Sequence, residues 1–197
     1  MRIRLARRRD APAIIAFNRA MALETEAKLL FPEVIGAGVR RLLARPASGF
    51  YLVAERNGEA IGALLITKEW SDWRNGDFWW VQSVYVLPEH RGRGVYRRLY
   101  RHVQRLAARR RSVVGFRLYV DHDNARARRV YRSLGMQETR YAVFEQLKPG
   151  IRFFTPARKP RIPYLVRNKY FVLSTELKSP RAAAGSLPRG RRARKAR

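Results

Sequence analysis

The segment Val84-Tyr85-Val86-Leu87-Pro88-Glu89-His90-Arg91-Gly92-Arg93-Gly94-Val95-Tyr96 sets two glycines and two arginines between an apolar run and an apolar-periodic one. Residue types in that order can make an anion site. Glycine lets main-chain amides close on phosphate oxygens. A helix that opens directly afterwards adds N–H groups without intrahelical acceptors and a partial positive charge. Arg91 and Arg93 add full charges. Strand-to-helix turns also use glycine merely to bend, so this spacing by itself leaves both a phosphate ligand and a plain turn open.

A second constellation follows at residues Asn124, Ala127, Tyr131 and Gly135. Together the two resemble the acyl-coenzyme A signatures of the GNAT superfamily of N-acyltransferases, Arg/Gln-x-x-Gly-x-Gly/Ala and then Asn-x-x-Ala-x-x-x-Tyr-x-x-x-Gly. The resemblance spans about residues 1–148. It implies an α/β (α+β) fold, a mixed and centrally splayed sheet flanked by about four helices. It also implies acetyl-CoA as cosubstrate and direct attack of a primary amine, from a small molecule or a peptide, on the thioester. By the same resemblance, Arg91, Gly92, Arg93, Gly94, Val95 and Tyr96 surround the pyrophosphate. The main chain of Tyr85 or Val86 pairs with the pantetheine arm, Asn124 hydrogen-bonds that arm, and Tyr131 protonates the leaving thiolate. A phenol of pKa about 10 beside a thiol of about 8.5 can serve as that donor; the alternative for Tyr131 is an aromatic packed on the sheet.

Two positions depart from the family pattern. Tyr96 stands where a small residue is usual, which bears on cofactor affinity. Gln82 stands where several relatives place a Glu base, and an amide takes no proton. An alkyl amine of pKa near 10.4 is neutral in only about one molecule in 2,500 at pH 7, so deprotonation costs about 4.6 kcal/mol without a base. Glu24, Glu26, Asp72, Asp77 and His122 are the substitute bases. The acids also suit recognition of a cationic amine, with Trp70, Trp73, Trp79 and Trp80 as cation–π walls. The expected acceptor-side residues are thus Glu24, Glu26, Trp70, Asp72, Trp73, Trp80 and Gln82. Strand alternation requires one of Trp79 and Trp80 to be core.

The elements that must position these residues are legible from periodicity and turn chemistry. Residues 3–6 read as a strand, and Asp10 caps a helix that tolerates Pro12 early. A second helix fits 34–43. Strands 50–56 and 60–68 flank Asn57-Gly58, the signal of a type I′ hairpin. Residues 70–77 read as a polar, aromatic loop, followed by strand 78–87, helix 94–110, strand 115–120 and helix 125–134, which Gly135 stops. A last strand is expected over 138–147, exposed enough at its edge to suggest a homodimer. The run from 78 to 120 requires a parallel crossover.

Composition bounds the rest. The chain has 197 residues, 43 Lys plus Arg against 15 Asp plus Glu, a net charge of +28, and no cysteine. Disulfides, thiolate metal sites and a Cys nucleophile are excluded, and no metal site is expected. No apolar run has membrane-spanning length, so a cytoplasmic protein with no membrane partner is expected. About half of the net charge lies beyond Pro149, where Glu176 is the only acid. Residues 1–148 are accordingly read as the N-acetyltransferase (GNAT-like) domain and 149–197 as a basic, Pro-containing, largely disordered tail. That tail supports a competing reading, a nucleic-acid or ribosome-associated binding protein. Tyr96 and Gln82 support another, a CoA-binding sensor or pseudo-enzyme without turnover.

Overall fold

A computed structural model describes residues 1–157. Its elements are β1 (Arg2–Leu5), α1 (Ala11–Glu26), β2 (Lys28–Leu30), α2 (Pro32–Leu43), β3 (Gly49–Arg56), β4 (Glu59–Ser71), β5 (Gly76–Val86), α3 (Val95–Ala107), β6 (Val113–Leu118), α4 (Ala125–Ser133) and β7 (Phe154–Pro156). Five strands form one sheet in the order β1-β3-β4-β5-β6. Every pairing in it is antiparallel except β5–β6, which is parallel. The α/β architecture, with a mixed sheet and four helices, is the expected one.

The sheet separates two cores. One face packs Leu64, Ile66, Trp79, Val81 and Val84 against Val95, Leu99 and Val103 of α3 and Ala127 and Tyr131 of α4. The other packs Tyr51, Val53, Ala63 and Tyr85 against Ile14 and Phe17 of α1 and Val39 of α2. Helical spacing explains the α3 seam, since Val95, Leu99 and Val103 recur every four residues and all are buried. Asn57 and Gly58 both have positive φ, as the hairpin turn between β3 and β4 demands. The expected 70–77 loop is shorter than read: β4 runs to Ser71 and β5 restarts at Gly76, so that only a tight turn over residues 72–75 lies between them.

Three expectations are corrected. Asp10 is the residue before α1 but does not cap it with its side chain. Its carboxylate instead takes Arg4 Nη1 and Nη2 at 2.7 and 2.9 Å and the Arg7 amide at 2.6 Å. A full guanidinium outcompetes helix amides for the same oxygens. Residues 138–147 form no strand. Arg128 and Arg132 on α4 hold Glu138 at 2.7 and 3.0 Å, and Tyr141, Val143 and Phe144 beyond it are exposed. The homodimer contact expected from that edge has no strand to rest on. Pairing comes later, within the stretch read as tail, where β7 is antiparallel to β2 with Thr155 opposite Leu29. Lys28 Nζ lies 4.7 Å from the Phe154 ring centroid there, and Ala157 N–H donates to Ala27 C=O. The rest of the basic tail lies outside the described residues, as does any nucleic-acid contact it makes. Among the described residues no helix is long and apolar enough to cross a membrane.

Arg4 also donates Nε to Glu55 on β3, so one guanidinium ties β1, β3 and the start of α1 together. Arg4 holds the Asp10 carboxyl below its usual range. A depressed carboxylate stabilises the fold above its unfolded pKa of about 3.9, and that contribution is lost as pH falls through the lower folded value. Asp10→Ala is therefore expected to cost about 2 kcal/mol at pH 7 by denaturant unfolding, because it leaves a buried Arg4 with Glu55 as its one remaining carboxylate. The difference from wild type should shrink as pH falls from about 3.9 through that folded value; equal midpoints at pH 7 contradict the assignment.

Candidate active site

The geometry of the site follows from two irregularities in β5. The β4–β5 register passes from Leu64 opposite Val84 to Ile66 opposite Val81, so β5 carries an extra residue at 82–83, a bulge. The parallel β5–β6 ladder ends at Val81 opposite Leu118. Beyond that point β5 continues to Val86 without a β6 partner. This is the expected splay, and it leaves one edge of β5 available to an extended ligand.

At the end of β5 the chain makes the expected glycine turn. Gly92 and Gly94 have φ of 76° and 75°, the left-handed region that favours glycine, and Gly94 is the N-cap of α3. Main-chain amides of residues 92–95 and the positive end of α3 therefore meet just past the splay, an arrangement suited to a diphosphate. Arg93, beside them, makes no ion pair among the described residues.

Arg91 is directed elsewhere. Its Nε donates to the Val86 carbonyl at 2.8 Å, its Nη2 to Glu24 Oε2 at 2.7 Å, and its guanidinium lies 5.2 Å from the Tyr85 ring. The Tyr85 hydroxyl donates to the other Glu24 oxygen at 2.6 Å. Burial, then the Glu24 hydrogen bond and charge, push the Tyr85 phenol up to about 12. This clamp joins the last turn of α1 to the end of β5. The Arg91 side chain belongs to it, whereas its expected place was at the pyrophosphate.

Tyr96 turns inward. It is 7% exposed, with its ring 6.1 Å from Tyr100 and 6.4 Å from Tyr131. Its bulk is absorbed by the α3–α4 seam and does not cover the glycine turn. Tyr131 is buried on α4 against it, and burial first, Tyr96 second, raise its phenol well above the ordinary value. The phenol keeps its proton throughout the working pH range. Asn124 is buried and caps α4, its Oδ1 accepting from the Ala127 amide at 2.9 Å.

The acceptor-side expectations divide. Trp79 is core, at 1% exposed, and Trp80 lies on the opposite face of the sheet, near Gln82. Gln82 is exposed and donates to Thr67 Oγ1 at 3.0 Å. Trp70 and Trp73 do not join them. Alternation along β4 turns Trp70 away from Glu69, and Trp73 stands in the turn at 87% exposed. Asp72 accepts from the Trp73 amide, and Glu26 pairs with Lys28 at 2.5 Å.

Sequence reasoning missed Glu69, Arg117 and Tyr119. Glu69 accepts from both Trp80 Nε1 and Arg117 Nη1, and Tyr119 packs 4.4 Å from Trp80. The available signal was register: a parallel strand after β5 sets Arg117 beside Trp80, and β4 sets Glu69 beside Phe78.

The acetyltransferase (GNAT) family profile matches residues 16–136. The crystal structure of a possible acetyltransferase from Clostridium difficile 630 is 39% identical, covering 75% of this chain and 97% of its own, with a TM-score of 0.70. A ribosomal-protein-alanine N-acetyltransferase from Brucella melitensis biovar Abortus 2308 is 20% identical over 77% of this chain and 98% of its own, TM-score 0.56. An aminoglycoside N-acetyltransferase solved in complex with CoA is 18% identical over 75% and 94%, TM-score 0.62. At these lower identities the likeness is one of fold. No curated protein sequence matches the chain.

Two substitutions separate the glycine turn from the clamp. Gly94→Val should weaken CoA binding by at least about tenfold in calorimetry, since a side chain there opposes the left-handed turn by about 1–2 kcal/mol. Arg91→Ala should leave that affinity within about threefold, because its guanidinium serves Val86 and Glu24. A larger loss from Arg91→Ala than from Gly94→Val contradicts this division.

Proposed function

The chain belongs to the GNAT acetyltransferase family, and from that premise we propose that it moves an acetyl group from acetyl-CoA to a primary amine of a small molecule or peptide. The observation that carries the reading is the parting of β5 from β6 after Val81, leading directly into the turn with Gly92 and Gly94 in left-handed conformation. The residues present fit acetyl-CoA. Amides of residues 92–95 suit its diphosphate, and Arg93 adds charge. The open edge of β5 near Tyr85 and Val86 suits the amide groups of its pantetheine arm, and Asn124 stands at the start of α4 across the splay. Bound acetyl-CoA supplies an activated thioester.

The chain's own residues then have distinct tasks. A β5 amide beside the bulge polarises the carbonyl to be attacked. The opposite face of β5, with Trp80 and Gln82, receives the amine. Tyr131, buried and protonated, donates to the sulfur as it leaves. Full proton transfer from a phenol above 10 to a thiolate of about 8.5 is uphill by at least about 2 kcal/mol, so Tyr131 acts first as a hydrogen-bond donor that stabilises the thiolate. Gln82 orients the amine or a water and takes no proton.

Free-thiol release with a panel of amines tests the reading. Wild type should release CoA with at least one amine, and Tyr131→Phe should lower kcat about a hundredfold while CoA affinity stays within about threefold. No release with any amine, despite CoA binding, contradicts turnover; an unchanged kcat in Tyr131→Phe contradicts the acid.

A further inference from the structure

Two of the acids expected to attract a cationic acceptor are already engaged by the chain's own side chains: Glu24 pairs with Arg91 and Glu26 with Lys28. Glu69, which the sequence did not single out, pairs with Arg117. Arg117 is held differently from an ordinary surface arginine. Its guanidinium lies 3.8 Å from the Phe78 ring centroid and 5.9 Å from that of Trp80, with Nη1 on Glu69. The Phe78 ring can lie across β6 because Gly115 stands opposite it: a Cβ there would come within 2.6 Å of Phe78 Cε1. Arg74 approaches the same ring at 5.3 Å. Two cations thus meet at Phe78. Among the described residues the Arg117 guanidinium makes no hydrogen bond other than that to Glu69. A stacked, pinned guanidinium with donors to spare is a reader of carboxylates.

Resting on the acetyl-transfer reading above, we propose that Arg117, pinned by Glu69 on Phe78 beside Trp80, anchors a carboxylate of the acceptor, which is a short peptide acetylated at its α-amine. The position fits. Arg117 lies opposite Trp80 in register, two residues before Gln82 at the bulge. That separation is about 6–7 Å along a strand, close to the span of a dipeptide from amine to carboxylate. The chemistry fits as well. Gln82 takes no proton, which favours an acceptor that brings a neutral amine. At pH 7 a terminal α-amine of pKa 7.7–8.0 is neutral in about one molecule in eight, against about one in 2,500 for a lysine-like amine. Trp80 and Tyr119 offer aromatic surface to a side chain between the two ends.

Calorimetry on the full chain saturated with CoA, using glycyl-L-phenylalanine and its C-terminal amide, tests the proposal apart from turnover. The acid should bind at least about tenfold tighter than the amide, and Arg117→Gln should bring the two within about twofold while CoA affinity is unchanged. Arg117→Lys, which keeps the charge but loses the planar fork and the stacking, should recover only part of the preference. Equal binding of acid and amide, no binding of either, or a preference that survives Arg117→Gln overturns the carboxylate anchor. Thiol release from these peptides reports separately on the transferase reading: its absence with every amine would sink that reading, and the binding comparison would still decide the anchor.

Discussion

A strand that loses a lateral neighbour leaves main-chain donors and acceptors that something else must satisfy. In this protein the loss is built into β5, which outlasts its β6 ladder by the residues after Val81 and bulges at the same place. The consequences spread outward. The open edge defines a slot for an extended, amide-bearing ligand. The slot ends where the glycine turn and α3 offer amides to a diphosphate. The bulge changes which side chains of β5 face which core, so Val84 and Val86 pack toward α3 while Tyr85 reaches α1. In the reading proposed above, one strand serves cofactor on its edge and acceptor on its face.

Charge is the second organising influence. With 43 basic residues and 15 acids, almost any carboxylate in this chain can find a cation, and the placement of each acid selects which arginine becomes structural. Asp10 and Glu55 take Arg4 and lock the first strand to the start of α1. Glu24 takes Arg91 and draws the side chain of a loop arginine away from the loop. Glu69 takes Arg117 on the open face of the sheet. Pairs that are largely withdrawn from water, such as Arg4 with Asp10, resist loss of one partner strongly, whereas the half-exposed Glu69–Arg117 pair is worth little in stability. The significance of that last pair lies in orientation.

Most of the fold was legible because it rests on local signals. The Asn57-Gly58 hairpin, the Val95, Leu99 and Val103 stripe and the Gly135 stop each report a backbone need within a few residues. The two glycines before α3 and the spacing from Asn124 to Tyr131 were legible for the same reason. What the sequence hid depends on register and competition between distant groups. Whether Asp10 caps a helix or binds Arg4 is decided by where β1 lies. The apolar run Tyr141-Ala142-Val143-Phe144 has the residue types of a strand, but a strand also needs an edge to join, and Arg128 with Arg132 anchor the chain's approach to that segment at α4. The Glu69, Trp80 and Arg117 cluster exists only once three strands are aligned. Composition alone does not say which face of β4 Trp70 takes, nor that Trp73 stands in the turn after it.

The claim on which the account turns is the occupancy of the β5 edge. A crystal structure of the full chain with CoA measures it directly. The account predicts the diphosphate against the main-chain amides of residues 92–95, the pantetheine arm paired along β5 beyond Val81, and the sulfur within hydrogen-bonding reach of the Tyr131 hydroxyl. Pairing of β5 to β6 continued past Val81, with the diphosphate bound away from the glycine turn, would contradict it.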